Sequence, residues 1–174
     1  MALNPLLKTY AYLFKDKDLD GPVLDLACGK GQNGIFLAEK GLPVILADRS
    51  HEALNEARKA AEGKDLNVRF WEIDLETGVN PFEEEHYRAI LVFRYLHRPL
   101  IPLLRNGIKK GGILIYETYT IEQTRYGAPH NPDHILKPGE LSDWFKDWQV
   151  IHYFEGILED PQRASAQIVC RKPF

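Results

Sequence analysis

The sequence predicts an α/β domain built from βαβ units, and three observations carry that prediction. Apolar runs of strand type alternate with segments of helical periodicity between Gly21 and Gly112, after which strand-type segments close the chain. The first three strand-type runs each carry an acid toward their carboxyl end, Asp25 within the first and Asp48 and Asp74 closing the next two. The length of 174 residues, with 44% hydrophobic and 27% charged residues, fits one globular domain with a core of its own and leaves no room for a second.

Taken in order, residues 4–14 place Leu6, Leu7, Tyr10, Leu13 and Phe14 at helical spacing, with Pro5 suited to a first turn. They predict an amphipathic leading helix, so that residues 1–15 form one candidate cover for a site. Residues 15–22 are a polar connector with a Gly-Pro break. Residues 23–27 (VLDLA) form strand one, and a Gly-rich turn leads to a helix over 33–40 that Gly41 stops. Residues 43–48 (PVILAD) form strand two, and Ser50 caps a helix over 51–61 whose stripe runs through Leu54, Ala57, Arg58 and Ala61. Strands three and four occupy 68–73 and 88–93. Pro99 opens a helix to about residue 108, with Lys109 and Lys110 near its C-terminal end and Gly111-Gly112 stopping it. Residues 113–119 form strand five, and 120–139 a long loop without periodicity, the kind that carries function. A short helix over 140–145 and two closing strands, 149–154 and 164–171, joined through Gly156 and Pro161, complete the chain.

Composition excludes several classes. A formal charge of −3 gives no global attraction for polyphosphate, so nucleic acid is not an expected partner unless a local patch supplies one. Two cysteines, Cys28 and Cys170, without a CxxC or His/Cys run, provide no metal or cluster site. Cys28 reads as a small residue in a turn and Cys170 as core. With no signal-like start and no apolar run near 18 residues, a cytoplasmic chain with no membrane partner is expected. The residues carry no sign of an oligomeric state.

Acids at three successive strand ends converge on one edge of the sheet, where open α/β sheets bind ligands. Acids in such a place call for hydroxyls or amines to hold, and a nucleoside with a cationic tail meets that demand. Gly29-Lys30-Gly31-Gln32-Asn33-Gly34 spells GxGxxG, with Asp48 lying 17 residues beyond Gly31. The pattern fits either a nicotinamide dinucleotide or S-adenosylmethionine. Charge separates the two, because Asp25 would repel a pyrophosphate and attract the ammonium of a methionyl tail, while Asp74 suits an adenine amino group. A nicotinamide-dependent oxidoreductase and a non-catalytic S-adenosylmethionine-binding sensor or partner subunit stay open as competing functions.

The run from Asp25 to Gly31 (DLACGKG) resembles the first motif of class I S-adenosylmethionine-dependent methyltransferases, with Asp48 and Asp74 as the acids after strands two and three. Within that superfamily, DLACGKGQNGIFLAEKG followed by PVILADRS is similar to the tellurite-resistance (TehB-like) group, as is KPGEL at 137–141. Ala27 replaces a glycine usual in the first motif and narrows the room beside the cofactor. The resemblance covers nearly the whole chain. It implies a Rossmann-like, doubly wound sheet of seven strands, mostly parallel with an antiparallel last strand, forming a single domain over residues 1–174. It implies S-adenosylmethionine bound across the ends of strands one to four and S-adenosylhomocysteine as product. Carried over by position, Asp25, Ala27, Cys28, Gly29 and Gly31 cradle the methionyl part, with Asn33 near the same tail. Asp48, followed by Arg49, holds the ribose, Asp74 and Leu75 the adenine, and Phe93 and Arg94 line the methionyl side.

Methyl transfer from a sulfonium is an in-line displacement, so alignment and exclusion of water are the main tasks and a base is optional. Residues 94–99 (RYLHRP) lie where this fold would carry out the transfer, which makes Arg94, Tyr95 and His97 candidates for catalysis. Glu117, near the end of strand five, is a fourth candidate, or else the partner of a nearby arginine. Arg98, Arg125 and His134 are expected to contact substrate, the last two from the 120–139 loop. Because the chain has no separate recognition domain, a small-molecule methyl acceptor is expected, drawn in by Arg94, Arg98 and Arg125 if it is anionic.

Overall fold

The central apolar runs form strands buried on both faces, as a parallel sheet sandwiched by helices requires, while the two edge strands, Val68–Glu72 and Gln149–Leu158, are only partly covered. In the computed structural model, which describes residues 2–15 and 19–174, seven strands make one sheet. They are β1 (Val23–Leu26), β2 (Val44–Asp48), β3 (Val68–Glu72), β4 (Tyr87–Phe93), β5 (Ile108–Tyr119), β6 (Gln149–Leu158) and β7 (Arg163–Arg171). Their spatial order is β3-β2-β1-β4-β5-β7-β6, with β1 to β5 parallel and β7 antiparallel to both of its neighbours. The expected doubly wound sheet and its reversed last strand are both present.

Helices α1 (Pro5–Tyr10), α2 (Gln32–Ala38), α3 (His51–Ala61), α4 (Ile101–Gly107) and α5 (Glu140–Trp144) cover the two faces. Strand alternation decides which side chain meets which layer. Val23, Val44, Leu46, Leu91 and Ile115 pack with Leu7, Leu37 and Leu54 from α1, α2 and α3. Leu24, Ile45, Ile90 and Leu114 pack with Leu104 and Leu141 from α4 and α5. Asp25 and Glu117 fall on the α1/α2 side by the same alternation. Chain connections leave β1 and β4 toward opposite edges, so the crevice between these two strands is the topological switch point of the sheet.

Several expectations are corrected. The helix opened at Arg98–Leu100 ends at Gly107, and residues 109–112 belong to β5. Tyr87 pairs with Ile108 while Ala89 pairs with Ile113, so those four residues bulge from the ladder, with Gly111 at φ +75°. The cation at this helix end is Lys172, whose Nζ donates to the carbonyls of Arg105 at 2.8 Å and Ile108 at 2.7 Å. The leading helix is shorter than expected and continues as a 3-10 turn, Ala11–Lys15. Asn4 caps it by accepting the Leu6 N–H at 2.8 Å. Of the connector at 15–22, residues 16–18 lie outside the described residues. The 120–139 loop holds two 3-10 turns, Ile121–Arg125 and Pro132–His134, and is pinned at its base by Ile121 N to Leu136 O and Leu136 N to Tyr119 O, both 2.9 Å. Gly156 lies inside β6, paired with Ser165, and not in the connection. Among the described residues no helix is long and apolar enough to cross a membrane.

Candidate active site

After β1 the backbone turns through Ala27 and Gly29, at φ 52° and 55°, to Gly31 at φ 74°, the residue that opens α2. The turn brings α2 hard against the sheet. A Cβ on Gly34 would stand 2.3 Å from Leu46 Cδ2 and 3.1 Å from Asp25 Oδ2, so only glycine permits this approach. The Gly34 N–H therefore reaches Asp25 Oδ2 at 2.8 Å. Asp25 is 1% exposed. Burial raises its carboxyl from 3.8 to about 7, opposed by the Gly34 N–H and reinforced by the charge of Asp48. A Cβ on Gly29, by contrast, would enter open space.

Asp48, at the end of β2, fastens this turn. Its Oδ2 accepts the Gly29 N–H and its Oδ1 the Ser50 N–H, both at 2.8 Å, and each oxygen keeps a further lone pair. Asp74 is exposed and accepts the Glu76 N–H at 2.9 Å. Two cavities lie along this edge. One of about 450 Å³ is walled by Asp48, Arg49, Asp74, Leu75, Tyr95 and His134, with Tyr119, Ala128 and Pro129 beside the loop. The second, about 390 Å³, is walled by Asp25, Cys28, Gly29, Gln32, Asn33 and Phe93, with Asn4 and Arg163. Ala27 and Arg94 line both, so the two are lobes of one groove at the switch point.

The structure thus brings most of the expected cofactor residues to the groove, and both expected covers reach it. The leading segment contributes Ala2 to Pro5 to the smaller lobe, where the Asn4 N–H donates to Asn33 Oδ1 at 3.0 Å. Gly31 is buried beneath, 2.8 Å from Leu46 for any added Cβ, and serves packing. The thiol of Cys28 is pushed up by burial and by Asp25 and Asp48, which makes it inert. Arg94, at φ 57°, donates its N–H to Glu117 O at 2.8 Å.

Other expected residues are placed elsewhere. His97 precedes the Arg98–Leu100 turn and lines neither lobe. Arg98 is committed to Glu140, at 2.6 and 2.9 Å, and to the carbonyls of Asp133 and Ile135 at 3.2 and 2.9 Å, so it clamps the loop. Arg125 is exposed and pairs with Glu122 at 2.7 Å, outside the groove. Glu117 is 1% exposed and lines neither lobe. Gln167 Nε2 donates to it at 2.6 Å, while Arg163 and Asn4 Nδ2 approach at 3.4 Å, which realises its reading as an arginine partner. Tyr95 donates to Glu76 Oε1 at 3.4 Å, and burial followed by Glu76 raises its hydroxyl far above neutrality. Asn4, Gln32, Tyr119 and Arg163 were not expected at the groove. A GxGxxG reading that followed its variable positions would have found Gln32, whereas Arg163 arrives only because β7 inserts beside β5.

The model of a methyltransferase domain family matches residues 23–111, just over half of the chain. The chain is 25% identical over 142 residues to a Haemophilus influenzae protein named "Probable S-adenosyl-L-methionine-dependent methyltransferase TehB", covering 79% of this chain and 49% of that protein. It is 26% identical over 159 residues to the tRNA 5-carboxymethoxyuridine methyltransferase of Escherichia coli, covering 74% of this chain and 60% of the other. It therefore spans about half the length of the TehB sequence it matches. The crystal structure of TehB from Haemophilus influenzae superposes with a TM-score of 0.75 at 21% identity, over 96% of this chain and 65% of that one. A Methanosarcina mazei S-adenosylmethionine-dependent methyltransferase superposes at 0.73 and 18% identity, both chains covered in full. These matches leave the nicotinamide reading of the Gly-rich turn without support. The chain belongs to the methyltransferase domain family, and among the proteins it is similar to is TehB, in sequence and in fold.

Proposed function

We propose that this chain transfers a methyl group from S-adenosylmethionine to a small-molecule acceptor. The observation that carries the reading is the two-lobed groove, with a buried carboxyl held near 7 in one lobe and two further acids walling the other. The residues fit the cofactor. The lobes, about 450 and 390 Å³, suit a nucleoside and an amino-acid tail, and among the described residues no cation acts on Asp25 to favour its ionised form. Asp48 and Asp74 would accept from ribose hydroxyls and the adenine amino group, with Leu75 as an apolar wall and Arg49 at the rim. Ala27, Cys28, Gly29, Asn33 and Phe93 would enclose the tail, while Gly31 shapes the turn from beneath.

When bound, the cofactor supplies an electrophilic methyl group on a cationic sulfur. The chain's own residues then have two tasks, alignment and dehydration. Arg94 stands where the lobes meet, and Tyr95, Tyr119 and His134 wall the larger lobe toward the loop. An anionic or polarisable acceptor would be oriented by Arg94 and enclosed by these rings. His134 is suited to take a proton, whereas Tyr95 is held protonated and Glu117 acts by positioning Arg94 and Asn4. A transfer of label from methyl-tritiated S-adenosylmethionine, run against thiols, phenols, oxyanions and bulk RNA, tests the proposal. Label is expected in a small-molecule product. Label only in RNA overturns the acceptor class, and binding of S-adenosylhomocysteine without any transfer favours a sensor.

A further inference from the structure

Two residues that line the smaller lobe carry buried polar atoms of opposite hydrogen-bonding character. Arg163 is 9% exposed, and its Nε finds no hydrogen-bond partner among the described residues. Gln32, the first residue of α2, has a buried Oε1 in the same condition. Both residues line the lobe that holds Asp25. Thr118 Oγ1 and Ser165 Oγ are likewise buried without partners, but neither residue lines either lobe. Only the first pair therefore points at a ligand, since a buried donor or acceptor left unmade is costly.

The state of Arg163 sharpens this. Its contact to Glu117 is 3.4 Å, long for a charge-assisted bond, and Glu117 is held more closely by Gln167 at 2.6 Å. One NH1 bond goes to the carbonyl of Pro161 at 3.2 Å. The guanidinium is thus kept in place with its Nε edge uncommitted. An unpartnered donor on a cation and an unpartnered acceptor on a residue of the lobe that Asp25 also lines match an α-amino acid zwitterion: a carboxylate for the one, an ammonium for the other.

We propose that Arg163 and Gln32 read the amino-acid end of the cofactor, Arg163 Nε donating to its carboxylate and Gln32 Oε1 accepting from its ammonium alongside Asp25. Arg163 would act from β7, outside the stretch that matches the family model, and would make the lobe selective for a carboxylate-bearing tail. The inference rests on the cofactor reading of the groove. Its test is calorimetric titration with two thioether nucleosides, S-adenosylhomocysteine and 5′-methylthioadenosine, which lacks the amino-acid end. Arg163→Gln is expected to lose about tenfold or more in affinity for the first and to change less than about twofold for the second. Gln32→Leu is expected to show the same split, more weakly. Arg163→Lys keeps the charge without the Nε edge and is expected to fall between.

Because removal of Arg163 leaves Glu117 with one partner fewer, the double variant Arg163→Gln/Glu117→Gln removes both charges and serves if the single variant fails to fold. An equal loss for both ligands, or an unchanged affinity for S-adenosylhomocysteine, overturns the proposal while leaving the nucleoside site intact. A wild-type protein that binds neither ligand overturns the cofactor reading and this inference with it.

Discussion

Replacing Asp25 by Asn separates the stability of the ligand-free fold from its capacity to hold a cation. The side chain is 1% exposed and its carboxyl stands at about 7 instead of 3.8, chiefly through burial. That displacement corresponds to about 4 kcal/mol of penalty on the ionised form. The folded chain binds this proton more tightly than the unfolded chain does. The group's contribution is therefore fully favourable below the unfolded value of 3.8 and is lost as the pH rises through about 7. Asn has nearly the same shape, keeps an oxygen for the Gly34 N–H and carries no charge. Ligand-free Asp25→Asn is expected to exceed the wild type by up to about 4 kcal/mol at pH 8, and by less than about 1 kcal/mol at pH 4. Urea denaturation followed by tryptophan fluorescence reads the difference, which amounts to roughly 10 °C in melting temperature for a chain of this size. The same variant is expected to lose about tenfold or more in affinity for S-adenosylmethionine. A variant no more stable than the wild type at pH 8, or an advantage equal at both pH values, refutes the reasoning.

The two glycines at the turn should fail differently. Gly34→Ala drives a methyl into Leu46 and is expected to lose about 1–3 kcal/mol of stability. Gly29→Ala meets no protein atom, so it is expected to lose only about 1–2 kcal/mol from its left-handed backbone, yet to weaken S-adenosylhomocysteine binding severalfold by filling the groove. Arg98→Ala is expected to lower stability by about 2–3 kcal/mol and to raise hydrogen exchange over residues 132–136, with no rescue by lysine, whose single ammonium cannot span Glu140 and the loop carbonyls. Arg125→Ala, which removes an exposed pair with Glu122, is expected to shift stability by less than about 0.5 kcal/mol and leave nucleoside binding unchanged.

What could be seen in advance was local. The alternation of apolar runs with helical stripes, the Ser50 cap and the acids at Asp25, Asp48 and Asp74 all follow from residues a few positions apart, and the structure has them where expected. The GxGxxG pattern also carries its own physics, since a Cβ on Gly34 would run into a neighbouring strand while one on Gly29 would meet no protein atom. Long-range partners leave no such trace. Arg98 looks like a substrate contact until Glu140, 42 residues away, is found beside it. Lys109 and Lys110 look like the end of a helix because the residue that binds its last carbonyls, Lys172, lies more than 60 positions further on. Glu117 and Arg163 meet only because β7 inserts between β5 and β6, a choice of sheet order that no local periodicity records.

The central claim, that the groove between β1 and β4 is an S-adenosylmethionine site, meets its most direct test in a crystal structure of this chain with S-adenosylhomocysteine. The expected result places the ribose and adenine between Asp48 and Asp74, and the amino-acid end in the lobe lined by Asp25 and Arg163. A ligand bound away from Asp25 and Asp48, or none bound at saturating concentration, contradicts the account.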